Sequence, residues 1–262
     1  MLTIGLAAAG FAMTWLTGRG GYLGGKGSLT VTLSPQAMFM AAISIGAAVA
    51  YYGVSGGIAV IVAVMWHEWG HVIAFRVAGH SDARFRLIPL FGGVAISDKR
   101  PKDHATDCFI TLMGPGFSVS LVVILVLAEA ILRDAGSPLA PHVRRAAIIT
   151  GAINAFNMLP LWPLDGGRAL RAITVTAAPK LAGIVTTVMS ATLAAIALMH
   201  QMWILLMFAV MGYRYAQQAA SSDGNLRPMT QGQAILAAVG YLAIFGANLL
   251  VGLPVFRHIL RF

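Results

Sequence analysis

The sequence predicts an all-α polytopic membrane protein of about six to eight transmembrane helices, with a short β-hairpin or strand at the cytoplasmic membrane surface. Three observations carry that reading. The 262 residues are 58% hydrophobic and 10% charged, whereas a soluble domain has about 25% charged residues and can cover a wetted surface with them. The apolar residues are gathered into runs long enough to cross a bilayer. And one polar connection, 79–104, contains strand-forming residues on either side of Gly92-Gly93.

The runs fall at 2–17, 36–53, 56–78, 105–132, 143–162, 181–200, 202–220 and 234–252. In lipid each must satisfy its own backbone groups, so each reads as a helix. The first lacks a basic region ahead of it, since Arg19 follows the apolar stretch, and it reads as a retained span rather than a cleaved signal. Two breaks, at Gly53 to Gly57 and at His200 to Met202, are short enough to require tight hairpins. The net charge of +9 comes without a dense basic block or an aromatic-basic ladder, so nucleic acid is not an expected partner. It fits basic loops on one side of a membrane. If the 56–78 helix ends in the cytoplasm, Arg76 and the segments 18–35, 79–104, 163–180 and 214–233 place 13 of the 18 Lys and Arg inside. The single Cys108 excludes an intrachain disulfide.

Within the 56–78 run stands "VMWHEWGHVIAF", where His67, Glu68 and His71 interrupt an apolar helix. The spacing H-E-x-x-H sets the two imidazoles one turn apart on one helical face, where both can reach one zinc ion. Glu68 lies beside them, placed to take a proton from a water that the metal activates. A buried polar network between helices is the plainer account of a lone intramembrane histidine, but three ionisable groups in five residues argue for a site. Zinc needs a third protein ligand here. The extended H-E-x-x-H-x-x-G-x-x-H form is absent, because Ala74 and Val77 stand at its last two positions. Glu129 and the acids of 79–104 remain open as ligands. The best candidate is Asp165 in "NAFNMLPLWPLDGGRAL", where prolines end the helix and Gly166-Gly167 permit close backbone approach.

H-E-x-x-H in one transmembrane helix and N-x-x-P-x-x-x-x-D-G in a later one, here Asn157 to Gly166, resemble the site-2 protease family of intramembrane zinc metalloproteases. The segments "LFGGVAI" at 90–96 and "LMGPGFS" at 112–118 also resemble family segments, although Ser118 stands where the family often has Asn. The resemblance covers about residues 56–175 and implies one Zn2+ per chain, held by His67, His71 and Asp165, with Glu68 as catalytic base. It also implies that Asn157 binds the substrate backbone or the developing oxyanion. Asn154, one helical turn earlier, is a second candidate for that role.

The expected organisation is N-terminal helices over 1–55, a catalytic core over 56–175 and C-terminal helices over 176–262, with no PDZ domain or CBS pair. The expected function is hydrolysis of peptide bonds in or near transmembrane segments of membrane-tethered regulatory proteins. An edge at Gly92 and Gly93 would receive the unwound substrate by β-augmentation. A catalytically silent scaffold of the same family and a metal transporter are the alternatives. The intact Glu68 argues against the first, and the confinement of the strong motifs to two helices against the second. The lipid bilayer, a transmembrane protein substrate and a regulatory membrane protein are the expected partners, and the plasma membrane the expected location, with the site toward the cytoplasm.

Overall fold

The computed structural model describes residues 35–88, 92–222 and 226–260, so the expected first span at 2–17 lies outside the described residues. Among the described residues the chain is helical apart from one hairpin and its connections. In order it forms α1 (Pro35–Val77), β1 (Arg84–Ile88), β2 (Gly92–Ile96), α2 (His104–Asp134), α3 (Ala140–Asn157), α4 (Asp165–Ala177), α5 (Pro179–Met199), α6 (Trp203–Ser222) and α7 (Gln231–Leu260). Among the described residues, three stretches are long and apolar enough to cross a membrane: Ile45–Val77, His104–Asp134 and Gln231–His258. Gly183–Met199 and Leu205–Arg214 are shorter apolar helices. The protein is an integral membrane protein.

The break expected near Gly53 is present inside α1. Gly53 has φ 71° and ψ 170°, a conformation that side-chain-bearing residues rarely adopt. A Cβ on Gly57 would sit 2.9 Å from the backbone of Val49. Eight residues along a straight helix are about 12 Å apart, so the chain folds back on itself at Gly53. After the reversal the helix is patterned inside out. Val54, Ile58, Val62, Met65 and Trp69 are exposed at intervals of three and four, while Ala59, Ala63, His67, His71 and Ala74 are buried. Lipid is as apolar as leucine, so it solvates the large side chains, and the inner face is left to small and polar groups.

Two compact units can be distinguished. One takes in the chain up to Lys99 together with Met113–Phe156 and Ile244 onward; the other comprises Arg100–Leu112 and Asn157–Ala243. In the first, close helix approach depends on glycines. A Cβ on Gly70 would strike the Met113 carbonyl oxygen of α2 and come 2.7 Å from Phe117 Cβ. One on Gly151 of α3 would lie 2.8 Å from the Asn248 oxygen and the Gly252 nitrogen of α7. Trp66 stacks on Phe117 with ring centroids 5.5 Å apart and donates Nε1–H to the Phe117 carbonyl at 3.3 Å. Pro115 stands inside α2, and the fully buried Asn248 donates Nδ2–H to its carbonyl at 3.3 Å.

In the second unit, α2 starts beside residue 227: the backbones of Asp103 and Arg227 form an isolated parallel bridge, and the His104 N–H reaches the Arg227 carbonyl at 3.0 Å. Arg168 pairs with Asp107 at 2.9 Å. Tyr241 donates its hydroxyl to the Met158 carbonyl at 2.6 Å, which pins the segment leading into α4.

The strands pair antiparallel, with Arg84 opposite Ile96 and Ile88 opposite Gly92. The expected hairpin is therefore present, but Gly92 and Gly93 lie in β2 rather than at the turn. The connection is 89–91, outside the described residues. The base of the hairpin is closed by short-range polar contacts. Arg84 holds Asp98 through two bonds of 2.7 and 2.9 Å, which keeps the Asp98 carboxyl below its ordinary value. Asp82 accepts the Asp98 N–H at 2.6 Å and the Ser97 hydroxyl at 3.0 Å, and the Asp98 N–H is the main cause of its own lowered value.

Candidate metal centre

His67 and His71 are one turn apart on the buried face of α1, exposed by 4% and 7%. Their Nε2 atoms are 3.0 Å apart, and the rings stand nearly edge to face at 79°. What surrounds them decides which nitrogens are available. Asn154, with no exposed surface, donates Nδ2–H to the Thr150 carbonyl one turn back in α3 at 2.8 Å. That fixes its amide with Oδ1 toward His67, whose Nδ1 lies 2.7 Å away. An amide oxygen only accepts, so Nδ1 of His67 carries the proton and Nε2 carries a lone pair. Nε2 is the atom that faces His71.

The His71 ring is seated against Gly114 of α2, where a Cβ would collide with Nε2 and Cε1. The motif "LMGPGFS" thus supplies the bare backbone that the ring needs. Ser118, in the same motif, returns its hydroxyl to the Gly114 carbonyl at 3.2 Å and is fully buried. Glu68 projects to the hairpin instead, and its Oε2 accepts the Ala95 N–H of β2 at 2.9 Å.

Asp165 is the first residue of α4, 8% exposed. The following glycines have a steric reason. A Cβ on Gly166 would collide with the Met158 and Leu159 carbonyls, and one on Gly167 with the Leu161 carbonyl carbon. The 158–164 segment therefore folds directly against the first turn of α4. Asn157 is the last residue of α3.

Among the described residues, His67, His71 and Asp165 are the candidate ligands for a metal ion, one ligand atom from each. The donor chemistry fits zinc. Two nitrogens on one tetrahedral zinc are about 3.3 Å apart, close to the 3.0 Å between the two Nε2 atoms. A buried lone pair facing a second ring nitrogen also calls for a shared cation or a proton. The other acids weighed from sequence are engaged elsewhere: Glu129 with Arg133 at 3.2 Å, Asp82 and Asp98 at the hairpin base, and Asp103 with the Thr106 N–H at 2.8 Å.

Two histidines depart from expectation. As residues flanking a polar loop, His80 and His104 read as solvated, yet they are 6% and 5% exposed. His80 bonds the Ser97 hydroxyl through Nδ1 at 2.8 Å and leans on the Phe75 ring. His104 is covered because the chain near Arg227 closes over the start of α2. Sequence also gave no sign that Asn154 contacts His67. The partners are 87 positions apart, and only the i−4 relation of Asn154 to Thr150 is local.

No protein-family model matches the chain. Sequence relatives are found nonetheless. A zinc metalloprotease of Methanocaldococcus jannaschii is 33% identical over 118 residues, 44% of this chain and 33% of that one. Rip3 of Mycobacterium tuberculosis, provisionally named a zinc metalloprotease, is 32% identical over 130 residues, 48% of this chain and 33% of that one. Over these stretches the chain is similar to zinc metalloproteases. Each match spans about a third of the relative's length. A solved site-2 protease from M. jannaschii aligns with a TM-score of 0.44 at 22% identity, covering 74% of this chain and 92% of that one.

Proposed function

We propose that the chain is an intramembrane zinc endopeptidase that cleaves peptide bonds in or near transmembrane segments of membrane-tethered regulatory proteins. The observation that carries this reading is the buried His67–His71 pair with Nε2 atoms 3.0 Å apart, with Glu68 next in sequence to the first of them and Asp165 opening α4. One zinc per chain would be held by those three side chains. Bound there, zinc supplies Lewis acidity, lowering the pKa of a water toward about 7 and polarising a carbonyl.

The chain's own groups do the rest. Glu68 takes a proton from the attacking water as the water oxygen bonds the scissile carbonyl carbon, then hands it to the amine nitrogen as the C–N bond breaks. Its Oε2 accepts the Ala95 N–H at 2.9 Å, which leaves other lone pairs of the carboxylate for the water proton, so the position of β2 bears on the orientation of the base. Asn157 donates to the oxyanion that develops. The β2 edge at Gly92 and Gly93 receives the substrate as an added strand, which holds the peptide extended and its bond accessible. The residues that act lie in a core spanning 56–175, between flanking helices. The chain is multi-pass in the plasma membrane, with this end toward the cytoplasm, as the Lys and Arg distribution supports. Single cysteines in 79–104 should label from the cytoplasm and those in 134–142 from outside; the reverse pattern sinks this orientation.

The test of the chemistry is Glu68→Gln. The amide keeps the size and the capacity to accept from Ala95 but cannot take a proton. Cleavage of a reconstituted transmembrane substrate should fall by at least ~10²–10⁴, with zinc content unchanged. Near-normal cleavage would remove Glu68 from the mechanism. Zinc binding without any cleavage by the wild type across a panel of transmembrane peptides would favour the silent-scaffold alternative.

A further inference from the structure

The amide of Asn154 is committed at both ends. One Nδ2–H is donated to the Thr150 carbonyl at 2.8 Å, and Oδ1 faces His67 Nδ1 at 2.7 Å. The side chain has no exposed surface. Turning it toward a substrate would break both bonds in a region where little else can replace them, and a buried polar group left without a partner is costly. The same residue that sequence offers as an oxyanion donor is thus held facing a ligand histidine.

We propose that Asn154 is a positioning residue that locks His67 in the Nδ1–H tautomer, so that the Nε2 lone pair is presented to the metal. This rests on the zinc reading above and deepens it. The physical argument has three steps. A neutral imidazole carries its proton on one nitrogen or the other, and only the unprotonated nitrogen can bind a metal. Asn154 Oδ1 can accept but not donate, so its bond selects the proton on Nδ1. Thr150 biases the selection: an amide flip could let Nδ2–H donate to an unprotonated Nδ1, but only by setting Oδ1 against the Thr150 carbonyl oxygen and losing that bond. Hydrogen-bond partners of this kind behind a metal-bound histidine are typically worth 10–100-fold in metal affinity.

The experiment compares wild type, Asn154→Leu and Asn154→Asp, purified in detergent. Zinc affinity is measured by competition with a chromogenic chelator, and the His67 tautomer is read from 15N shifts of zinc-free, histidine-labelled protein. Wild type should show Nδ1–H at His67. Asn154→Leu should lose that signature and bind zinc about 10–100-fold more weakly. Asn154→Asp presents a carboxylate to the same N–H and should restore the signature and bring affinity back to wild-type strength or above. A purely structural asparagine would be served no better by Asp than by Leu, so equal weakening in the two variants overturns the proposal. Wild-type affinity together with Nδ1–H in Asn154→Leu overturns it as well. If wild type binds no zinc, the zinc reading fails, while the tautomer of zinc-free protein still decides whether Asn154 sets it.

Discussion

Four histidines of this chain are buried, yet they fall into two pairs with different chemistry. His67 and His71 stand one turn apart on a helix with Nε2 atoms 3.0 Å apart. His80 and His104 are just as deeply covered, but each sits at the end of a polar connection and serves local structure. His80 ties Ser97 to the end of α1, and His104 opens α2 where the chain near Arg227 crosses it. Burial therefore does not mark a metal ligand. What singles out His67 as a proposed ligand is an Nε2 lone pair turned toward His71, with its Nδ1 proton taken up by Asn154.

Substitution should break this comparison in opposite ways. His71→Ala removes a ligand from the group of three and should abolish most zinc binding and activity together, since two side chains rarely hold zinc in place of three. His80→Ala removes one hydrogen bond and a ring contact, at a cost of about 1–3 kcal/mol in stability, with one zinc per chain retained. Metal analysis of the two purified proteins, set beside thermal unfolding, separates the roles. Equal loss of zinc from both would mean that the hairpin base, not the i, i+4 pair, controls the site.

The sequence made one of these pairs readable and hid the other, for a physical reason. The proposed metal pair is encoded by local periodicity, and the run Pro160, Pro163, Asp165, Gly166, Gly167 announces a broken helix with a carboxylate at the start of the next. The reversal at Gly53 is readable in the same way, because only glycine takes that conformation without strain. The burial of His80 and His104 depends on what the rest of the chain lays over them, and polarity of the surrounding loop pointed the other way. The hairpin was visible in its strand-forming residues, while its turn was misplaced by the glycine pair, which stands in β2. Glycine in a strand and glycine in a turn read alike when the partner strand is unknown. The contacts of Asn154 with His67 and of Gly114 with His71 are tertiary, and no spacing rule reaches them.

A smaller change sharpens the comparison further, at a residue that carries no donor atom. Gly114 and Gly116 flank Pro115 in α2, and each is a candidate for alanine. A Cβ on Gly114 would collide with the His71 ring, whereas one on Gly116 would meet Ile244 Cδ1 at 3.1 Å. Ile244 Cδ1 is the far end of a flexible side chain and can move by the few tenths of an ångström required. The His71 ring can also swing, but only by taking Nε2 away from its place beside His67. Overpacking of this kind costs about 1–3 kcal/mol, so Gly114→Ala should still fold in the membrane. Its zinc affinity should nevertheless fall at least about tenfold, which is about 1.4 kcal/mol of binding, and Gly116→Ala should bind zinc as wild type does. Chelator competition on the two variants measures this directly. Unchanged affinity in Gly114→Ala would show that the His71 ring does not need the seat that α2 provides, and that the i, i+4 spacing alone holds the pair in register.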